Sequence, residues 1–346
     1  MSSVSTDHSS VSSAFLRESR PAKRAISYST ASTERIKRVF REYGYGGPVE
    51  ATLYTHGVSD TYLLSTSEKK FALKVYRVGW RTRDAIEAEM AAIQHAHEKN
   101  VAVATPIARR DGQWITYIRA PEGPRACVLF PWAEGRPPRY KDADHAREFG
   151  AMVARLHDAE DDFHDYGARP RLDIDYLFRQ PVETIKSRLR EMPDVAARLE
   201  LVSRRLESAF AGIEGKLSDW GFCHGDIWVG NARIEANRLV LFDFDFFGLG
   251  WRATDLATFR WHARLVGSEQ VAWDAFLEGY LPIRPIARES LPFIELFMMA
   301  RHLWNTAHFL GMTTDFGVTM VSDDYLEHTV SFCEQLEAER GGDHAK

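Results

Sequence analysis

The run His224-Gly225-Asp226-Ile227-Trp228-Val229-Gly230-Asn231, followed twelve residues later by Asp243, sets an Asp, an Asn and a second Asp at a spacing suited to phosphoryl transfer. One carboxylate can take the proton of an acceptor hydroxyl while the amide and the other carboxylate hold magnesium on a triphosphate. Asp226 and Asn231 fall in a loop after Phe222 and Cys223. Asp243 closes the apolar strand Leu239–Phe242, and a hairpin through Ala236 and Asn237 would fold that strand back against the loop. The bland alternative is a buried turn in which an Asp caps a helix and an Asn tolerates a left-handed backbone.

Asp226 is the expected general base or hydroxyl-positioning group, and Asn231 with Asp243 supply hard oxygen donors of the kind Mg²⁺ takes. Lys74 shares one strand face with Ala72 and Tyr76. An ammonium there would be costly to bury alone, and makes sense if it meets phosphates and a carboxylate from the next helix. Glu89 is preferred for that carboxylate, with Glu87 in reserve; an edge-strand lysine that deters aggregation is the competing reading. Gly57, Val58, Ser59 and Asp60 form a turn whose glycine, hydroxyl and N–H groups suit an anion, although an ordinary hairpin explains the segment equally well. Pro131 has no N–H, so an adenine at Val128–Trp132 would be read by the Phe130 carbonyl and the Trp132 N–H, although a rigid linker with a stacking Trp explains the segment nearly as well. His224 should brace the loop. Asp245 can face either the metal's water shell or the acceptor, and Asp255 should support the loop from a helix start.

These residues need elements to hold them. Thr33 is a plausible N-cap for a helix through Tyr43. Strand-like runs follow at Glu50–Thr55, Thr61–Thr66 and Phe71–Arg77, then a helix over Asp84–Asn100 with Ile86, Met90 and Ile93 on one face, then strands at Gln113–Arg119 and Arg125–Phe130. That order predicts a small antiparallel sheet with one main helix packed on it. Gly135 to Pro138 reads as a linker. Helical patterns then occupy Asp142–Ala159, Asp194–Leu217, Arg252–Val266, Gln270–Tyr280, Leu291–Leu310 and Asp323–Arg340. The expected class is α+β, with a β-rich lobe over 33–133, a larger helical lobe over 134–340, and a ligand cleft between them.

Composition removes other classes. Apolar residues make up 45% of the 346 and charged residues 27%, an ordinary globular balance, and the formal charge of -5 gives no general attraction to nucleic acid or an anionic membrane. The longest apolar region, Leu291–Met312, is interrupted by Glu295, Arg301 and His302. Residues 1–32 are Ser-rich, lack a signal-peptide core and read as a disordered tail, and 341–346 form a short C-terminal tail. Cys127, Cys223 and Cys333 form no cluster, which favours a reducing cytoplasm. Cys223 beside His224 could be a nucleophile, but a small buried residue is the simpler reading.

Lys74, the glutamate of the following helix, His224 to Asn231, Asp243 and Thr254-Asp255-Leu256-Ala257 together resemble the aminoglycoside phosphotransferase and choline kinase superfamily from about residue 50 to 260. The resemblance implies a bilobal protein-kinase-like fold, ATP with magnesium as cofactors, and transfer to a hydroxyl. It makes Asp226 the catalytic Asp, Asn231 and Asp243 the metal ligands, and Lys74 with Glu89 the phosphate holders. Arg301-His302-Leu303-Trp304 and Asp324–Phe332 are more loosely similar to the stress-response kinase A branch, which implies a protein Ser/Thr kinase as the alternative. Ile227-Trp228-Val229-Gly230 departs from the superfamily's frequent loop and argues against a standard aminoglycoside acceptor. The leading expectation is transfer to a small, amine-bearing molecule such as an amino sugar, choline or homoserine; Asp165, Asp173, Asp175 and Glu295 add weaker support as carboxylates for its cation, each reading equally as part of a solvated face. A nucleotide-binding module without catalysis is the third possibility.

Overall fold

Alternating apolar residues in the first third of the chain build a twisted antiparallel sheet. The computed structural model describes residues 26–213, 219–236, 238–286 and 288–343. Within it, β1 (Glu50–His56), β2 (Ser59–Ser65), β3 (Lys70–Tyr76), β4 (Ile115–Ala120) and β5 (Gly123–Pro131) pair in the order β1-β2-β3-β5-β4. One helix covers each face, where sequence reading expected a single main helix. α1 (Thr33–Glu42) buries Ile36, Val39 and Phe40 against Tyr62, Phe71, Leu73 and Leu129 on the outer face. α2 (Arg83–Glu98) puts Ile86, Met90 and Ile93 into the larger core on the inner face. The cap of α1 is Ser32 rather than Thr33, its hydroxyl accepting the Arg35 N–H at 3.3 Å.

The rest is mainly helical. α3 (Ala143–Ala159) starts at the Asp142 cap. A π-helical turn at Asp175–Arg179 runs into α4 (Gln180–Arg188), and α5 covers Pro193–Ala211. α6 (Ala253–Leu265), α7 (Glu269–Tyr280), α8 (Ile294–Phe316) and α9 (Asp323–Asp343) complete the lobe. Most of these were legible as periodic segments; the π turn and α4 were not. Among the described residues no helix is long and apolar enough to cross a membrane.

Two small sheets frame the His224–Asp243 region. β6 (Arg171–Leu172), β10 (Gly248–Trp251) and β7 (Trp220–Cys223) form one, in that order. β8 (Ala232–Glu235) and β9 (Arg238–Leu241) form the other, an antiparallel hairpin. Ala236 at its turn has φ 47°, a left-handed value; Asn237, the other turn residue expected, lies outside the described residues. The presumed tail needs correction. Residues 1–25 lie outside the described residues, but Tyr28 to Ser32 dock on the sheet, and α9 runs to Asp343, past residue 340.

Candidate active site

A cleft of about 490 Å³ lies between the sheet and the helical lobe. Its roof comes from β1–β3 (Tyr54, Gly57, Ser59, Thr61, Ala72, Lys74), and its floor from Asp226, Trp228, Asn231, Phe242 and Asp243. Strand alternation sets the roof: Ser59 and Thr61 face the cleft, while Asp60 between them is buried on the opposite face.

Lys74 crosses from roof to floor. Its Nζ lies 2.8 Å from Asp243 Oδ1, 3.3 Å from Glu89 Oε1 and 3.3 Å from Asp245 Oδ2. Burial alone would lower the Lys74 pKa, but the three carboxylates hold it well above the ordinary value, so the ammonium stays charged. The glutamate is Glu89; Glu87 pairs with Arg83 on the exposed side of α2. Glu89 also accepts from Arg169 Nη2 at 2.7 Å, so one carboxylate joins Lys74 to the second lobe.

The loop is held from three directions. Asp255, fully buried, accepts the N–H groups of His224 and Gly225 at 2.7 and 2.8 Å and faces His157 Nε2 at 3.1 Å. Burial lowers the His157 pKa, so the imidazole is neutral: Nε2–H donates to Asp255 and Nδ1 accepts from the Tyr280 hydroxyl at 2.9 Å. His224 accepts the Asp226 N–H through Nδ1 and donates from Nε2 to the Phe242 carbonyl, each at 3.3 Å, which ties the loop to the end of β9. Gly225 has φ +80°, and a Cβ there would stand 2.1 Å from the Phe246 carbonyl oxygen, so only glycine fits.

Asp226 is fixed at both oxygens. Asn231 Nδ2 donates to Asp226 Oδ2 at 2.8 Å and to its carbonyl at 3.0 Å, which spends the amide's donor end and leaves its oxygen available as a ligand. Arg301, from α8, donates Nη2 to Asp226 Oδ1 at 2.5 Å and Nη1 to the Gly225 carbonyl at 2.9 Å. Its guanidinium lies over the Trp304 ring at 4.8 Å and the Trp261 ring at 5.5 Å. Sequence reading gave Arg301 no site role; its sole signal was the loose likeness of Arg301–Trp304 to one kinase branch.

Asp243 has φ 65°, uncommon for a residue other than glycine. Its half-exposed carboxylate and the Asn231 oxygen are hard donors on one wall. Among the described residues no set of three His, Cys, Asp or Glu side chains could hold a metal. Two protein ligands with phosphate oxygens and water are nonetheless what Mg²⁺ commonly takes. Asp245 lines the same cleft beside Lys74 and Asp243. It is buried, accepting from Trp80 Nε1 at 2.9 Å and Arg81 Nε at 3.0 Å besides pairing with Lys74. Against the upward pull of burial, Lys74, Arg81 and Arg169 hold its carboxyl below the usual range. The four acids considered for a cationic acceptor do not line the cleft. Asp173 caps the Tyr176 N–H, Asp175 pairs with Arg179, Glu295 pairs with Arg260, and Asp165 is exposed. Cys223 is buried and burial pushes its thiol pKa up, which removes it as a nucleophile.

The hinge corrects one expectation. The Trp132 N–H donates to the Lys70 carbonyl at 3.1 Å. Residues two apart on an antiparallel ladder share one pairing type, so Phe130, opposite Ala72, also turns its N–H and C=O into β3. The Pro131 carbonyl is turned away from β3, and both Pro131 and Ala133 line the cleft.

Residues 50–289 match the family model described as the phosphotransferase enzyme family, APH. This chain belongs to that family. The phosphotransferase is 36% identical over 332 residues to an uncharacterized protein of Deinococcus radiodurans, covering 94% of this chain and 95% of the other. It is 25% identical over 279 residues to a homoserine kinase of Paraburkholderia xenovorans, covering 75% and 80%. Among solved structures, a microcompartment-associated aminopropanol kinase superposes with a TM-score of 0.68 at 20% identity, covering 90% of this chain and 99% of that one. An amicoumacin kinase in complex with AMP-PNP, Ca²⁺ and Ami also gives 0.68, at 17% identity, covering 84% and 88%. The fold is that of these kinases, and the α+β, protein-kinase-like architecture expected from sequence is borne out.

Proposed function

We propose that this phosphotransferase moves the γ-phosphoryl group of ATP to a hydroxyl of a small molecule. The observation that carries the reading is the meeting of Lys74 with Asp243 at 2.8 Å across the cleft that Asp226 and Asn231 floor. Lys74, steadied by Glu89, would neutralise phosphate oxygens. Ser59 and the turn around Gly57 would cover them. Pro131 C=O and Ala133 N–H would read the adenine edge. Asn231 and Asp243 would hold a magnesium ion, which supplies charge neutralisation on the phosphates when bound. Asp226 accepts the hydroxyl's hydrogen bond, aligns its oxygen for in-line attack and takes its proton; no covalent enzyme intermediate is needed. His224 and Asp255 keep the loop in shape, and Asp245 keeps Lys74 and the Trp80–Arg81 segment in place.

The relatives suggest which acceptors to try first: homoserine and aminopropanol, then choline, amino sugars and aminoglycosides. ADP release with ATP and Mg²⁺ across that panel should depend on one acceptor class and vanish in Asp226→Asn. ATP binding with no acceptor-dependent turnover would count against it and favour a nucleotide-binding module. Label from ATP appearing in the protein itself would favour the protein-kinase alternative.

A further inference from the structure

Asp60 sits next to Ser59 but points away from the cleft, where it is fully buried. A carboxylate in that position must be paired. Arg125, itself buried, donates Nη2 to Asp60 Oδ2 at 2.9 Å, and His56 Nδ1 lies 2.9 Å from Oδ1. The remaining partner comes from outside the sheet: the Tyr28 hydroxyl donates to Asp60 Oδ1. Two guanidiniums lie over the Tyr28 ring, Arg77 at 4.2 Å and Arg125 at 4.9 Å. The neighbouring residues dock as well. The Ser29 N–H and hydroxyl donate to the buried Glu122 at 3.1 and 2.7 Å, the Ser29 carbonyl accepts from Arg125 at 2.5 Å, and the Ala31 carbonyl accepts from Tyr62 at 2.7 Å.

Arg77 extends the chain of contacts. It donates Nη2 to the Gly57 carbonyl at 3.0 Å, pairs through Nη1 with Asp315 of α8 at 2.7 Å and lies over Phe316 at 4.8 Å. Tyr28 therefore touches both side chains that fix the Gly57–Asp60 turn, Asp60 from within and Arg77 from beside.

We infer that Tyr28 is a positioning residue for the phosphate-side turn: the segment Tyr28–Ser32 is a working part of the nucleotide roof, and its loss loosens nucleotide binding without touching the transfer machinery. The inference rests on the cleft being a nucleotide site. The test therefore pairs a binding readout with one that needs no nucleotide. Full-length Tyr28→Ala and Tyr28→Phe are compared with wild type by amide hydrogen exchange of the free protein and by affinity for Mg²⁺·AMP-PNP. Tyr28→Ala is expected to speed exchange across residues 55–61 and leave residues 224–231 unchanged. It should weaken AMP-PNP about tenfold, and Tyr28→Phe, which loses the hydroxyl's contacts with Asp60 and His56 but keeps the ring, about fivefold. At saturating ATP, kcat should stay within about twofold in both. Unchanged exchange at 55–61 in Tyr28→Ala overturns the inference, as does a fall in kcat with nucleotide affinity intact. A wild type that binds no AMP-PNP sinks the nucleotide reading, while the exchange comparison still decides whether Tyr28 holds the turn.

Discussion

Asp226 is gripped by Asn231 on one oxygen and Arg301 on the other, and the second grip is the firmer. Arg301 is buried, lies over two indoles and is bonded to both the carboxylate and the backbone of the residue before it. A planar fork of this kind sets direction as well as charge. Arg301→Gln should lower kcat about 100-fold, because a carboxylate displaced by about an ångström misaligns the hydroxyl, and leave nucleotide affinity within a few-fold. Arg301→Lys keeps the charge and loses the fork, so it should recover only part of the rate. Steady-state kinetics with separate KM values test this; equal losses in kcat and nucleotide affinity would show a general collapse of the loop. Trp228 works on the same scale. Its ring stacks on His262 at 5.0 Å and fills the space where a Cβ at Gly230 would come within 2.2 Å, so the departure at Trp228 is matched by a glycine beside it. Burial drives the His262 pKa to about 3, so this partner is a neutral ring.

At the scale of elements, α3 and α7 pack backbone to backbone. A Cβ on Gly150 would stand 2.0 Å from the Phe276 carbonyl oxygen, and one on Gly279 would stand 1.9 Å from that of Arg147. Neither helix can yield alone, because α3 also carries His157, which holds Asp255. Gly279→Ala should therefore cost about 1–3 kcal/mol or more from overpacking, visible as a lower thermal midpoint and, through the displaced His157–Asp255 contact, a lower kcat. A midpoint within a degree of wild type would refute the close crossing. These elements also show what sequence can carry. β2, β3 and β5 announce themselves by alternation, and α2 and α3 by their periodic faces, because each buries one side against a continuous core. β10 reads Gly248-Leu249-Gly250-Trp251, whose two glycines weaken any strand signal; it pairs because glycine lets Leu172 approach its backbone. The hinge donor was misassigned for a related reason: which N–H faces a ligand depends on ladder register, and Phe130 and Trp132 share theirs. Arg301 lies 75 positions from Asp226, and no local pattern links the two.

The molecule as a whole joins its lobes by charge as well as by the hinge. Glu89–Arg169 and Arg77–Asp315 cross the junction near the cleft, and His95 and Lys99 of α2 both hold Asp162 at its back, at 2.9 and 2.7 Å. Beside that back contact sits Glu160, buried, with neither carboxyl oxygen hydrogen-bonded. Burial first, and then the Asp162 charge, raises its pKa from the ordinary 4.5 to about 8. Lys99 and His95 hold Asp162 down to about 2, so that neighbour is ionised throughout the relevant range. The sign of the consequence is fixed by linkage. As pH rises through 4.5 the unfolded chain releases this proton, while the folded chain keeps it until about 8. Within that window the folded state binds more protons, so this group makes stability fall with rising pH, by at most about 1.4 kcal/mol per unit. Above about 8 both states are ionised and the loss levels off. Glu160→Gln does not titrate and should lack this slope. Its thermal midpoint, measured against wild type from pH 5 to pH 8.5, should gain steadily on the wild type up to about pH 8 and then run parallel; a constant difference across the range would mean that Glu160 meets solvent or a partner and that the back of the junction is more open than its packing implies.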